Sequence, residues 1–136
     1  MALWIALGAV LLAVGLLWAA VGLERGPSPI DVAIGYESAW DRFDFSTLFD
    51  LSGDELRDGM NRAAFVTAQK AAFTPRPSRH VDRIEIESES ASGDAAHVVT
   101  SLYSEGSVVR NDLVLRRRNG RWVVTAYGIR PEPAER

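Results

Sequence analysis

The stretch from Ala2 to Leu23 contains no charged side chain, and it constrains the chain more than any other feature. An α-helix rises ~1.5 Å per residue, so about 20 apolar residues cross the ~30 Å hydrocarbon core of a bilayer. Trp4 and Trp18 lie toward the two ends of the stretch, where indole rings favour the membrane interface. Residues 1–25 are therefore predicted to form a transmembrane anchor, which makes the chain a single-pass protein of the cell membrane.

A cleaved signal peptide is the alternative interpretation of this segment. Such peptides have a basic start, an apolar stretch of about 7–15 residues and a small-x-small cleavage site. The start of this chain carries no basic residue and the apolar run is longer, although Ala20 and Gly22 form a weak cleavage signal. The positive-inside rule favours a cytoplasmic domain only by the single charge of Arg25, which leaves the side of the membrane open.

The composition excludes several classes of function. A chain without cysteine has no disulfide, no thiolate metal site, no cysteine nucleophile and no lipoprotein anchor. A net charge of -3 and a pI near 5.4 argue against a general nucleic-acid-binding protein. We therefore expect no nucleic acid among the partners of this protein.

Beyond the anchor, the apolar pattern predicts a linker at residues 26–29, a folded domain at residues 30–130 and a flexible tail at residues 131–136. Apolar residues recur at helical spacing from residue 30 to residue 43, after a cap at Ser28. Shorter helical pieces follow, with caps expected at Asp44 and Asn61, and Ser52-Gly53-Asp54-Glu55 is typical of a capping box. The first part of the domain is therefore predicted to be helical.

After Pro75 and Pro77 the apolar period changes to two, which is typical of strands. In the first strand Ile84, Ile86 and Ser88 are expected on one face, and Glu85, Glu87 and Glu89 on the other. Asn119-Gly120 is a strong signal for a type I′ hairpin turn. The four strands are predicted at residues 81–89, 95–104, 108–117 and 121–130.

Helices that precede an antiparallel meander and share apolar faces must cover one side of the sheet. The sequence thus predicts an α+β protein. It has an N-terminal transmembrane helix, followed by helices packed on a curved four-stranded antiparallel sheet.

Two groups of residues in the predicted domain match a known pattern. The first group is Ala33-x-x-Tyr36-x-x-Ala39-Trp40-x-x-Phe43-Asp44-Phe45-x-x-Leu48, followed by Leu51-Ser52 and Glu55-Leu56-Arg57. The second is Asn119-Gly120-Arg121-Trp122-Val123-Val124 in the last hairpin. This pattern resembles the NTF2-like superfamily, in the form found in small membrane-anchored bacterial proteins, and the resemblance covers residues 28–130.

The resemblance implies a cone-shaped fold that can enclose a pocket between the first helix and the sheet. Its candidate lining residues are Tyr36, Trp40, Asn111, Trp122 and Tyr127. Asn111 interrupts an otherwise apolar strand face, and a buried amide needs hydrogen-bond partners. It either contacts a ligand or bonds a backbone group or Tyr36 and fixes the packing. The aromatic residues either line the pocket or form ordinary core.

Catalysis requires an acid or base within hydrogen-bond reach of a substrate. Of the two histidines, His97 falls on a predicted strand with no acid placed beside it by spacing, and His80 lies at a strand start. Asp41 and Asp44 are interpreted as a solvated residue and a helix cap. No metal-binding pattern such as H-E-x-x-H occurs. We therefore predict no catalytic residue, no metal site and no cofactor.

Arginines cluster in the last predicted hairpin, at positions 116, 117, 118 and 121. Strand alternation sends Arg116 and Arg118 to one face and Arg117 to the other. Such a run is usually solvated, but near a bilayer each basic residue can gain ~1 kcal/mol against anionic headgroups. Arg116, Arg117, Arg118 and Arg121 are thus candidates for a basic binding surface.

The function expected from these features is that of a non-catalytic, membrane-tethered binding or assembly module. The resemblance implies an accessory subunit of a membrane protein complex, with a protein partner. Two alternatives stay open. One is a small-molecule or lipid-binding pocket protein, and the other is an enzyme of the isomerase or dehydratase type found in the NTF2-like superfamily.

Overall fold

The structure is a computed structural model that describes residues 26–73 and 80–131. The anchor predicted at residues 1–25 lies outside the described residues. Within the described part of the chain, no helix combines the length and the apolar character needed to cross a bilayer.

Within residues 26–73 and 80–131, four helices precede four strands, in the order that the change of period predicts. The helices are α1 (Pro29–Asp41), α2 (Phe45–Leu51), α3 (Asp54–Arg57) and α4 (Arg62–Phe73). The strands are β1 (Arg83–Ser92), β2 (Ala95–Ser104), β3 (Ser107–Arg118) and β4 (Arg121–Ile129). They form one antiparallel sheet in the order β1-β2-β3-β4. The predicted α+β architecture is confirmed for this part of the chain.

Helix α1 begins as predicted and ends two residues earlier than residue 43. Its first turn is closed by a capping box, in which Ser28 and Asp31 each accept a hydrogen bond from the other's backbone N–H. At the other end Phe43 adopts a positive φ of 54°, and the Asp44 N–H donates to the Ala39 carbonyl. These features form a Schellman-type end, which stops the helix and turns the chain into α2.

The capping box predicted at Ser52 is wrong. The residue before α3 is Gly53, which offers no side chain as a cap. Ser52 instead ends α2 and is buried, with its hydroxyl donating to the Leu48 carbonyl at 2.6 Å. It lies beside Val124 in a parallel bridge, so this segment borders the β4 edge of the sheet. The caps predicted at Asp44 and Asn61 are both confirmed, since each accepts a bond from the third residue after it.

Strand β1 departs from the predicted alternation at a bulge between Ile86 and Ser88. Ile86 pairs with Thr100 on the helix-covered face, but Ser88 pairs with Val99, on the opposite face. The extra residue in a bulge shifts the pleat by one position. Glu89 therefore shares a face with buried Val98, and the expectation that Ser88 continues the Ile84–Ile86 face is wrong.

The core lies between α1, α2 and one face of β2, β3 and β4, here called the inner face. Its most enclosed side chains are fully buried aliphatic residues: Leu48, Val98, Leu113, Leu115 and Val124. Burial of each such side chain contributes about 1.5–3 kcal/mol relative to exposure. Asn119 and Gly120 both have positive φ, as the predicted type I′ turn requires.

Candidate functional site

A carboxylate lies in the middle of this apolar interface. Glu37 projects from α1 toward the sheet and is only 2% exposed. Its Oε1 accepts hydrogen bonds from Thr100 Oγ1 at 2.7 Å and from Asn111 Nδ2 at 3.0 Å. Its Oε2 accepts from the Tyr127 hydroxyl at 2.8 Å. The three donors come from β2, β3 and β4, so one helical residue is bonded to three strands.

The four residues joined by these bonds, here called the Glu37 network, are Glu37, Thr100, Asn111 and Tyr127. Every side-chain donor hydrogen of Thr100, Asn111 and Tyr127 is used in a bond within the network. The Asn111 amide donates one hydrogen to Glu37 and the other to the Tyr127 hydroxyl at 2.9 Å. Tyr127 accepts that hydrogen and donates its own to the carboxylate. A buried polar group is costly unless it is hydrogen-bonded, and here three side-chain donors supply the hydrogen bonds. Asn111 therefore bonds Glu37 and Tyr127, rather than the backbone or Tyr36 partner expected for a packing role.

Sequence reasoning missed Glu37. The signal was its position, because Glu37 lies four residues after Ala33 and three before Trp40, on the stripe that faces the sheet. Asn111 offered the second signal, as a polar residue on the inner face of β3. A polar residue on each of two facing apolar surfaces is the pattern that predicts such a pair.

Three of the predicted pocket aromatics lie together beside the Glu37 network. The Tyr127 ring contacts Tyr36 edge-on at 5.0 Å between centroids and stacks with Trp40 at 6.4 Å. Trp40 also meets Phe73 of α4 edge-on at 5.0 Å. Tyr36 is buried, and this burial raises the pKa of its hydroxyl.

Trp122 is partly buried and occupies a different environment from those three rings. It packs against the core near the β3–β4 turn, with the Arg117 guanidinium 5.6 Å above its ring centroid. Tyr36, Trp40, Asn111 and Tyr127 are thus brought together by the fold, while Trp122 stabilises the hairpin end.

His97 does have an acid beside it, contrary to the prediction from spacing. Its Nε2 lies 2.9 Å from Asp112 Oδ1, and the Arg130 guanidinium lies 3.8 Å from the same oxygen. His97 and Arg130 are exposed and Asp112 is half-buried, and His97 and Asp112 lie on the face of the sheet opposite the helices. His80 is likewise exposed, 3.6 Å from Asp82. Neither histidine is near the Glu37 network, because both lie outside the core.

The arginines of the last hairpin divide between two faces, with Arg116 and Arg118 on one face and Arg117 on the other, and Arg121 pairs with Arg118 across the turn. Arg117 pairs with Asp94 at 3.0 Å. Arg118 makes two hydrogen bonds, of 2.9 and 2.5 Å, to Glu55 of α3. These bonds hold the hairpin against the segment that follows α2. Arg121 donates a long bond of 3.4 Å to the Asp50 carbonyl.

A cleft of about 210 Å³ lies between this hairpin and the segment around α3. It is lined by polar and charged residues together with Val123: Asp50, Ser52, Gly53, Asp54, Arg57, Arg118, Asn119 and Arg121. The Gly53 N–H donates to the Val124 carbonyl at 2.7 Å, and a Cβ at Gly53 would lie 2.7 Å from Glu55 Oε2. Glycine at this position therefore permits the close Arg118–Glu55 contact at the cleft wall.

The Arg118–Glu55 pair predicts a specific acid sensitivity. The hydrogen bond from Arg118 lowers the pKa of Glu55 from 4.5 to about 2. A depressed carboxyl pKa contributes stability that is present above the unfolded value and is lost as the pH falls from 4.5 toward 2. In melting temperatures measured across this range, Glu55→Gln should flatten the decline seen in the natural chain. Glu89→Gln is the matched control, and equal slopes for all three proteins would contradict the prediction.

The fold is similar to that of a solved structure. A SEC-C motif containing protein from Rhodopseudomonas palustris aligns with a TM-score of 0.51 at 16% identity, over 75% of this chain and 78% of that chain. An NTF2-like protein of unknown function from Silicibacter pomeroyi aligns with a TM-score of 0.49 at 20% identity, over 73% of this chain and 90% of that one. No protein-family model and no curated protein sequence matches the chain. The likeness to the Rhodopseudomonas protein shows a shared fold alone.

Proposed function

We propose that this chain is a membrane-tethered, non-catalytic binding or assembly module whose soluble part is an NTF2-like domain. Its role would be that of an accessory subunit, held at the bilayer by residues 1–25 and contacting a protein partner through the surface of the domain. Residues 2–23 support the tether because they carry no charge over a length sufficient to span. The NTF2-like assignment rests on the residue pattern of the first helix and the last hairpin, with a helix layer on a four-stranded sheet.

The observation that carries the non-catalytic assignment is the use of Glu37 within its own fold. A catalytic carboxylate must exchange a proton or a bond with a substrate, and so needs an oxygen that a substrate can reach. Both oxygens of Glu37 instead accept hydrogen bonds from the sheet, in a site that is 2% exposed. This arrangement supports a structural carboxylate that fixes the helix on the sheet.

A second candidate function is a small-molecule site at the end of the inner face, next to the Glu37 network. Ile129 pairs with Asn111 and is 68% exposed, and Val109, two residues before Asn111, is 37% exposed. Two exposed apolar residues beside a polar network resemble the lining of a ligand pocket. In that case Glu37 would orient a polar group of the ligand, and its substitution would affect function directly.

The tether is tested by extraction of the full chain from membranes with alkaline carbonate. The natural chain should remain in the membrane fraction, with its amino terminus intact. Leu12→Arg places a charge at the middle of the span, where insertion costs about 2.5–3.5 kcal/mol more. It should shift the chain toward the soluble fraction, while Leu12→Ala should not. Mature protein that begins near Leu23 would contradict the tether and support a cleaved signal peptide.

A further inference from the structure

We infer that the β3–β4 hairpin end of the domain docks on an anionic lipid surface. This inference rests on the proposed tether and adds the orientation of the domain and the chemistry that it recognises. The hairpin end is defined by Arg116, Arg118 and Arg121, with the adjoining cleft.

The position at which the chain enters the domain supports this orientation. A Cβ built on Gly26 would lie 3.9 Å from the Gly120 carbonyl oxygen, at the tip of the hairpin. Gly26 follows directly after the predicted anchor, residues 1–25. A tether that joins the domain at Gly26, which lies beside Gly120, would hold this end of the sheet close to the bilayer. The turn at residues 105–106 lies at the opposite end of the same strands.

Within the part of the chain that the structure describes, the hairpin end carries unpaired positive charge, which anionic lipids attract. Arg118 and Arg121 pair directly across the turn, and Arg116 lies two residues before Arg118, so all three project from one face. Like charges directly opposite each other destabilise a sheet. Glu55 relieves Arg118, but among the described residues no carboxylate forms an ion pair with Arg116 or Arg121. The chain as a whole is acidic, with a net charge of -3, so these two cations stand out.

The cleft gives this surface room for a headgroup phosphate. Arg57, Arg118 and Arg121 lie on its wall. The acids nearby are partly neutralised, since Asp50 pairs with Arg62, and Asp54 lies 3.9 Å from Arg57. A guanidinium presents paired donors that match phosphate oxygens, and each basic residue near an anionic surface contributes ~1 kcal/mol. Arg121 is the cleft arginine best placed to contact a phosphate, because within the described ranges its guanidinium makes just one hydrogen bond, the long one to the Asp50 carbonyl.

Because the chain contains no cysteine, a single introduced cysteine can be labelled specifically in the full chain inserted in vesicles. A fluorophore on Ser92→Cys reports the hairpin end, and one on Ser107→Cys reports the opposite end. Vesicles contain phosphatidylcholine, with or without phosphatidylglycerol, and a lipid with a nitroxide headgroup as quencher. With phosphatidylglycerol, the label at position 92 should be quenched strongly and the label at position 107 weakly. High salt should reduce this difference, since exposed charges are screened over ~8 Å at physiological ionic strength.

Charge variants distinguish a specific role of Arg116 and Arg121 from a general electrostatic attraction of the domain to the membrane. R116E/R121E should remove the difference between the two labels, and R116Q/R121Q should reduce it without adding repulsion. R83E/R130E changes the net charge equally at the opposite end and should leave the difference intact. Inorganic phosphate, compared with chloride at equal ionic strength, should not release the hairpin, and release by phosphate would assign the cleft to a soluble anion.

The outcomes distinguish this inference from the proposed tether. Loss of the labelled chain from vesicles in carbonate would overturn the tether. Retention in carbonate with equal quenching of the two labels, or with quenching unchanged by R116E/R121E, would overturn the docking alone.

Discussion

Glu37→Ala should lower the free energy of unfolding of the domain by about 2–6 kcal/mol. The variant removes the acceptor of two fully buried donors, Thr100 Oγ1 and Asn111 Nδ2, and each unsatisfied buried donor costs about 1–3 kcal/mol. It also leaves a cavity at the helix–sheet interface. Domains of this size have a total stability of about 5–15 kcal/mol, so this loss is a large fraction of the total. The measurement is denaturant unfolding followed by circular dichroism.

Two controls distinguish the loss of the hydrogen bonds of the Glu37 network from the loss of side-chain volume. Glu37→Gln keeps the size and the Oε1 acceptor but sets an amide against the Tyr127 hydroxyl, so it should cost less than alanine. Replacing the whole network by apolar residues (E37L/T100V/N111L/Y127F) removes donors and acceptor together, which is often nearly neutral. A Glu37→Ala variant as stable as the natural chain would contradict the structural role of the carboxylate.

Leu113→Ala should lower the free energy of unfolding by about 2–5 kcal/mol. Leu113 is 0% exposed at the middle of β3, where it pairs with Val98 on one side and Tyr127 on the other. Deleting a buried isobutyl group removes its transfer free energy and leaves a cavity between closely packed elements. Thermal unfolding of the same full chain gives the change as a lower melting temperature.

The next residue of the strand provides the matched control for Leu113. Val114 lies on the opposite face and is only partly buried, so Val114→Ala should cost well under half as much. Equal losses for the two variants would mean that the helix layer does not cover the face of β3 described here.

The sequence alone predicted those elements whose signals are local. Asp44 and Asn61 cap helices because a side-chain oxygen reaches a backbone N–H three residues ahead, within one turn. Asn119-Gly120 forms the predicted turn because both residues tolerate positive φ. Apolar alternation in β3 predicts one face for Val109, Asn111, Leu113 and Leu115; the last three are buried on the inner face, while Val109 is exposed.

Features that depend on tertiary contacts were missed. The bulge after Ile86 has no marker such as glycine, and it appears only when β1 is paired with β2. Ser52 carries the local pattern of a cap, but the bridge to Val124 places it in the core as the end of α2. Phe43 takes a positive φ that local preference favours for glycine or asparagine, because its position at the end of α1 requires it.

The candidate site was only half predictable for the same reason. Tyr36, Trp40, Asn111 and Tyr127 could be proposed together because the resemblance of the residue pattern to a known fold implied a pocket between the first helix and the sheet. The group that joins them, Glu37, lies 63 residues before Thr100 and 90 before Tyr127. No local pattern relates residues at such separations, and a glutamate on a helix is ordinarily solvated.

The central claim, that Glu37 holds the fold together and takes no part in chemistry or ligand contact, is tested most directly by function in cells. Glu37→Gln is expressed in a strain that lacks the natural gene, at a growth temperature low enough for its folded abundance to equal that of the natural chain. A structural role predicts that the variant then restores the phenotype fully and loses it only at temperatures where its abundance falls. Failure to restore the phenotype at equal folded abundance would contradict that role and place Glu37 in a catalytic or ligand-binding site.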